Sequence, residues 1–261
     1  MPRTPGDPVY AAVIRAALAV FRALDLRLDL RGLDNVPASG GAVITINHTG
    51  YLDFAIAGLP FWRARRRLVR FMAKQQVFAH PVSGPLMRAM KHIPVDREAG
   101  SASFRAALTY LKRGELVGVF PEATISRSFC LKEFKLGAAR MAMAAKVPVV
   151  PVVLWGSQRL WTKGRARRLL RSRHVPVTVI VGPPLTAAAG EGAPAFTARI
   201  VAAMQAMLVA AQADYPQTPR DDQDRWWLPA HLGGLAPTPE TAAALDAAEA
   251  DARASRTSAE A

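Results

Sequence analysis

The residues with the most chemistry to offer are His48 and Asp53, five positions apart in the run Asn47-His48-Thr49-Gly50-Tyr51-Leu52-Asp53. An imidazole held by a carboxylate is a general base suited to a hydroxyl near neutral pH. Spacing limits how the two can meet. Five residues of an ideal helix turn about 500°, which leaves the side chains roughly 140° apart. One regular helix therefore keeps them separate. They meet if His48 lies in a strand-to-helix turn and Asp53 in the first helical turn. Asp53 then accepts from one ring nitrogen, fixes the tautomer and raises the basicity of the other. A plainer arrangement is that His48 caps the helix and Asp53 complements its positive end. Spacing alone leaves both open.

Further groups follow along the chain. Lys74 and Arg97 are either solvated surface charges or, if both face His48, a clamp for phosphate: a mobile point charge beside a planar fork. Glu122 follows an apolar run and Pro121, which places it at the carboxyl end of a strand, where α/β sheets hold ligands. A helix cap or an ion pair is the plainer role for it. Thr124 adds a hydroxyl nearby.

These residues stand in six ordered blocks. They are Asn47-His48 through Asp53; Ala73-Lys74 with Phe78, Pro81 and Gly84; Ile93-Pro94-Val95-Asp96-Arg97; Phe120-Pro121-Glu122-Ala123-Thr124; Phe134-Lys135-Leu136-Gly137-Ala138; and Val147-Pro148-Val149-Val150-Pro151-Val152. Residues 35 to 185 so marked resemble the glycerolipid acyltransferase family, which includes 1-acylglycerol-3-phosphate acyltransferases and carries an N-H-x4-D motif. The resemblance implies that His48 and Asp53 are catalytic. It implies that Lys74 and Arg97 hold the acceptor's phosphate, and that Glu122 and Thr124 belong to the acceptor site. It also implies a reaction without a cofactor. His48 takes the proton of a lysophospholipid hydroxyl, the oxygen attacks the thioester of acyl-CoA or acyl carrier protein, and the thiolate leaves. The tetrahedral oxyanion needs donors, expected from backbone N–H groups near the turn.

One block departs from the family, which reads Glu-Gly-Thr-Arg-Ser where this chain has Glu122-Ala123-Thr124-Ile125-Ser126. Alanine in place of glycine implies an ordinary backbone conformation at 123. Ile125 replaces a phosphate-binding arginine, and Arg127 takes over that contact if the loop bends back. The acceptor is then 1-acyl-glycerol-3-phosphate, giving phosphatidic acid, or another lysophospholipid or glycolipid.

These residues need elements to position them. Apolar β-rich runs at 42–46, 69–73, 116–120, 149–154 and 177–181 read as strands. Helical spacing marks 103–113, 136–145 and 196–211. The alternation predicts an α/β layered domain; the family resemblance implies that its central sheet is mixed and flanked by helices. Residues 8 to 30 read as an N-terminal amphipathic helix, with Val9, Val13, Ala17, Val20 and Leu24 in register. It either packs on the domain or lies in a membrane interface. We divide the chain at 1–34 (this segment), 35–215 (the catalytic domain) and 216–261, an extension strapped on through Trp226-Trp227 with a last helix from Thr238-Pro239-Glu240. That tail carries net −4 from Pro219 on, against +18 for the rest of the chain.

The overall charge of +14 on 261 residues seeks phosphate. Two basic runs stand out: Arg63, Arg65, Arg66, Arg67 and Arg70; and Lys163, Arg165, Arg167, Arg168, Arg171 and Arg173. With Trp62, Trp155 and Trp161 near them, they read as docking surfaces for an anionic membrane, at about 1 kcal/mol per residue. Coenzyme A phosphates or an acidic carrier protein are other takers. No nucleic-acid motif accompanies the runs, and five scattered histidines lack metal-ligand spacing. Cys130 stands alone, so no internal disulfide forms. Tyr10 to Leu24, broken by Arg15 and Arg22, reads as neither a signal peptide nor a spanning helix. The expected place is the cytoplasmic face of the cell membrane, peripheral or monotopic.

Overall fold

The computed structural model describes residues 7–96, 100–166 and 173–260. Seven strands form one sheet: β1 (Arg27–Arg31), β2 (Ala42–Ile46), β3 (Val69–Lys74), β4 (Ile93–Val95), β5 (Leu116–Val119), β6 (Val149–Trp155) and β7 (Pro176–Val181). Their order is β1-β7-β6-β2-β5-β3-β4. All neighbours are parallel except β6 and β7. The sheet is thus mixed, as the family resemblance implies. Its middle strands β2, β5 and β6 are buried along their whole length, which is why they read as unbroken apolar runs and not as alternating ones.

Side chains of successive residues serve opposite faces. Ile44, Ile46, Val150, Val152 and Leu154 meet α1 (Pro8–Ala23), α2 (Asp53–Ala57) and α3 (Leu59–Arg65). Val43, Val117, Val153 and Trp155 meet α6 (Gly100–Lys112), α7 (Gly137–Ala145) and α8 (Ala193–Ala213). Two short helices, α4 (Gln75–Ala79) and α5 (Ser83–Ala89), link β3 to β4. By length and composition α8 is apolar enough to cross a membrane. Here it lies on the sheet, burying Phe196, Ile200, Met204 and Leu208, each worth roughly 1.5–3 kcal/mol.

The N-terminal reading changes in two ways. The helix ends at Ala23, and Arg27 to Arg31 form an edge strand paired with β7. A boundary at residue 34 therefore cuts through the sheet. The face turned inward carries Tyr10, Ile14 and Phe21, while Val9 and Val20 are exposed. Larger aromatics at 10 and 21 bury more area than the valines, and they set the helix's rotation. The helix packs on the domain and still presents apolar side chains outward.

The tail is strapped on as its sequence suggests. Trp226 and Trp227 are buried in the core shared with α7 and α8. The Arg159 guanidinium lies 4.4 Å over the Trp227 ring. A last helix, α9, spans Pro239–Glu260.

The basic runs are less open than expected. Arg67 is spent on the carbonyls of Pro37, Gly40 and Gly114. Arg70 is buried and bonds Glu115 and the Met90 carbonyl. Trp155 has no exposure at all. Arg63, Arg65 and Arg66 remain at the surface. Lys163 is paired with acidic residues of α9, and Arg165 lies over Trp226. Arg167, Arg168 and Arg171 lie outside the described residues.

Candidate active site

The carboxyl ends of β2, β5, β3 and β4 share one edge of the sheet because these strands run parallel. Ligands of open α/β sheets bind along such an edge. As β2 leaves the sheet, the Asn47 side chain prolongs its pairing with β6: Oδ1 accepts the Leu154 N–H at 2.7 Å, and Nδ2 donates to the Leu154 carbonyl at 3.0 Å. The chain then turns through residues 48 to 52 and enters α2 at Asp53. His48 thus lies in the turn and Asp53 at the first helical position, the one arrangement that lets them meet.

They do meet. His48 Nδ1 is 3.0 Å from Asp53 Oδ2. The same oxygen accepts the N–H groups of Thr49 at 2.7 Å and Gly50 at 2.8 Å. Oδ1 accepts the Ser157 hydroxyl at 2.5 Å. Asp53 has no exposed surface, and these donors serve both its oxygens. The orienting role is filled, while the capping role is not: α2 begins after Leu52 with no side-chain cap, and the amides that Asp53 holds belong to the turn before the helix. With Nδ1–H donated to Asp53, the lone pair of His48 sits on Nε2. The ring keeps 21% of its side-chain surface open. Phe120 stacks on it at 4.3 Å and 29° between planes, with Phe71 stacked behind Phe120. A carboxylate on one edge and an aromatic face behind leave Nε2 as the ring atom able to take a proton.

The loop after β5 holds the peptide of His48 from both sides. Glu122 Oε1 accepts the His48 N–H at 2.9 Å, and its Oε2 accepts the Lys132 N–H at 3.2 Å. Ser126 N–H donates to the His48 carbonyl at 2.7 Å. Burial pushes the Glu122 carboxyl up to about 8, and the two backbone amides partly oppose that shift. Family resemblance puts this glutamate in the acceptor site; the structure spends its carboxyl group on the backbone under the His48 turn.

Other expectations at this loop are corrected. Ala123 has φ of 60°, so it keeps the left-handed conformation that glycine usually fills. Thr124 is half-buried, and Ile125 turns into the core. Arg127 does not restore the missing arginine contact. Its Nε is 3.0 Å from Asp246 and its Nη2 is 2.6 Å from Glu249, so its fork is closed on α9.

Lys74 is exposed at the carboxyl end of β3, opposite Val95 of β4. That is two strands from β2 along the same edge, a lateral distance of roughly 10 Å. Arg97 lies outside the described residues. Backbone N–H groups of the turn are committed elsewhere: His48 to Glu122, Thr49 and Gly50 to Asp53, Tyr51 to the Trp161 carbonyl. The expected oxyanion donors must therefore come from outside residues 48–51.

Sequence reading missed the segment after β6. Ser157 holds the second oxygen of Asp53, and Thr162 Oγ1 donates to the Thr49 carbonyl at 2.6 Å. Gly156 makes the turn with φ of 101°, and a Cβ there would stand 2.2 Å from the Pro176 carbonyl oxygen. Gly50 permits close approach: its Cβ would crowd the carbonyls of Ser157 and Trp161. A glycine ending an apolar strand was the available signal. That β6 lies beside β2 was not visible, and this adjacency is what brings Ser157 to Asp53.

Comparison with known proteins agrees with this fold. The acyltransferase family model matches residues 27–155. The 1-acyl-sn-glycerol-3-phosphate acyltransferase of Bacillus subtilis is 32% identical over 161 residues, covering 57% of this chain and 77% of that protein. A chloroplastic enzyme of the same name from Brassica napus is 30% identical over 164 residues, covering 61% of this chain but only 45% of its own. The crystal structure of PlsC, the 1-acyl-sn-glycerophosphate acyltransferase of Thermotoga maritima, superposes with a TM-score of 0.64 at 21% identity. That match covers 79% of this chain and 81% of the other, and it shows the shared fold. On the level of identity and coverage to the Bacillus protein, this chain belongs to the acyltransferase family.

Proposed function

We propose that the chain moves a fatty acyl group from acyl-CoA or acyl carrier protein to the free hydroxyl of 1-acyl-glycerol-3-phosphate, giving phosphatidic acid. The observation that carries this reading is His48, held through Nδ1 by Asp53 with its ring partly open to the surface. The names of its relatives support the acceptor. His48 Nε2 takes the hydroxyl proton as the oxygen attacks the thioester carbon. The tetrahedral intermediate collapses, the C–S bond breaks, and His48 returns the proton to the thiolate. Asp53 stabilises the imidazolium between the two transfers. No acyl-enzyme and no cofactor are required. Lys74 and Arg97 serve as the phosphate contacts.

A second acceptor has a specific observation in its favour. Ile125 is buried where the family has an arginine, and Arg127 is engaged by α9. Weaker phosphate binding favours a lysophospholipid with a larger headgroup, or a glycolipid. Labelled acyl-CoA with a panel of lysolipids separates the two: the first reading requires the highest kcat/KM on 1-acyl-glycerol-3-phosphate, and preference for another headgroup overturns it.

We place the enzyme on the cytoplasmic face of a membrane. Outward Val9 and Val20 on α1, Phe54 of α2, and Val82 and Leu86 near α5 give apolar contact; Arg63, Arg65 and Arg66 supply positive charge. Sedimentation with anionic liposomes tests this. The protein should pellet with them at low salt, and recovery in the supernatant contradicts the placement.

A further inference from the structure

Three cations from two loops converge on α9. Asp246 Oδ1 takes Arg127 Nε at 3.0 Å and Lys163 Nζ at 2.7 Å, and its Oδ2 takes Lys132 Nζ at 2.6 Å. Glu249 takes Arg127 Nη2 at 2.6 Å and Lys163 Nζ at 2.9 Å. Burial pushes the Asp246 carboxyl up, but hydrogen bonds from Lys132, Lys163 and Arg127 outweigh it and hold it at about 2, so it is charged at neutral pH.

Each cation lies next to a bond that holds the catalytic turn. Arg127 follows Ser126, whose N–H binds the His48 carbonyl. Lys132 N–H shares Glu122 with the His48 N–H. Lys163 follows Thr162, whose hydroxyl binds the Thr49 carbonyl. The loops at 126–132 and 161–163 thus grip residues 48–49 from two directions, and both bring positive charge to one point. Like charges sharing a partly buried point repel strongly. An anion between the two loops offsets that repulsion where they close on the turn.

We propose that Asp246 and Glu249 of the C-terminal helix are that anion: positioning residues that fill an oxyanion site made by Arg127, Lys132 and Lys163 and so brace the His48 turn from outside the family's matched segment. This rests on the acyl-transfer reading for its kinetic consequence, and on the ion-pair geometry alone for its structural one. The site without its carboxylates has the chemistry of a phosphate or sulfate site.

The test is the full-length chain with Asp246→Asn and Glu249→Gln together, and Asp246→Asn alone as a milder variant in case the pair fails to fold. A misplaced catalytic turn should lower kcat by about ten- to a hundredfold, with KM for both substrates within about twofold, since neither carboxylate is placed against substrate. Amides of the loops at 126–132 and 161–163 should exchange hydrogen faster than in wild type. Sodium sulfate or inorganic phosphate should restore part of kcat, slow that exchange and raise the variant's Tm; sodium chloride at matched ionic strength should not. Wild-type kcat and exchange in the variants would overturn the proposal, as would losses that neither anion reverses. Hydrogen exchange and Tm need no acyl transfer. An inactive wild type therefore refutes the acyl-transfer reading, while the brace is still judged by its anion-dependent exchange.

Discussion

Asp53 is served by His48, by two backbone amides and by Ser157, and the last of these is the side chain that sequence spacing did not point to. Ser157→Ala leaves Oδ1 buried without a partner, at a cost of about 1–3 kcal/mol. If that cost falls on the orientation of Asp53, kcat drops roughly tenfold, with KM little changed. Steady-state kinetics with unchanged kcat would show that Ser157 only fills space. Glu122 makes a prediction in pH. Its carboxyl is raised to about 8 in the folded chain against 4.5 for the free group, mainly by burial. The folded state therefore binds its proton more tightly than the unfolded state. The stability so gained is complete below pH 4.5 and is lost as pH rises toward 8. Glu122→Gln keeps an acceptor for the His48 N–H and removes this dependence. Thermal melts should show wild type losing ground to the variant between pH 5 and 9, and parallel curves would contradict the assignment. Residue types and spacing showed only that His48 and Asp53 could meet in a strand-to-helix turn; the six ordered blocks, by resemblance, chose that pairing over helix capping. Ser157 as a partner of Asp53, and the His48 amide as a partner of Glu122, were not legible, because the sequence does not state that β6 and β5 flank β2.

The elements divide by whether local pattern or tertiary packing decided them. β2, β5 and β6 were read correctly because burial on both faces leaves an apolar run that nothing else explains. β1 was taken for the end of a helix, since Arg27 to Arg31 alternates charged with apolar residues and its pairing with β7 comes from far along the chain. The turn after β6 belongs to this scale. Gly156 has φ of 101°, and its missing Cβ makes room for the Pro176 carbonyl of β7. Gly156→Ala should cost roughly 1–3 kcal/mol in backbone strain alone, and should lower activity more than Ser157→Ala because it moves Ser157 and Thr162 together. Urea unfolding with an unchanged midpoint would mean that the turn tolerates a side chain.

At the scale of the molecule, a charge of +14 suggested open basic surfaces, and the fold uses much of that charge internally. Arg67 and Arg70 tie loops beneath α1 and α3, while Arg127, Lys132 and Lys163 meet the acidic tail. A count of charges cannot separate these roles, because they depend on which segments the sheet brings together. What the whole arrangement serves is one ring nitrogen at the carboxyl edge of β2. The direct measurement is thioester release from acyl-CoA in the presence of 1-acyl-glycerol-3-phosphate, for wild type and for His48→Ala of matched Tm. The account predicts acceptor-dependent release by wild type and a loss of at least about a thousandfold in the variant, the scale seen when a general base of this kind is removed. Acceptor-dependent release by His48→Ala at the wild-type rate would contradict it.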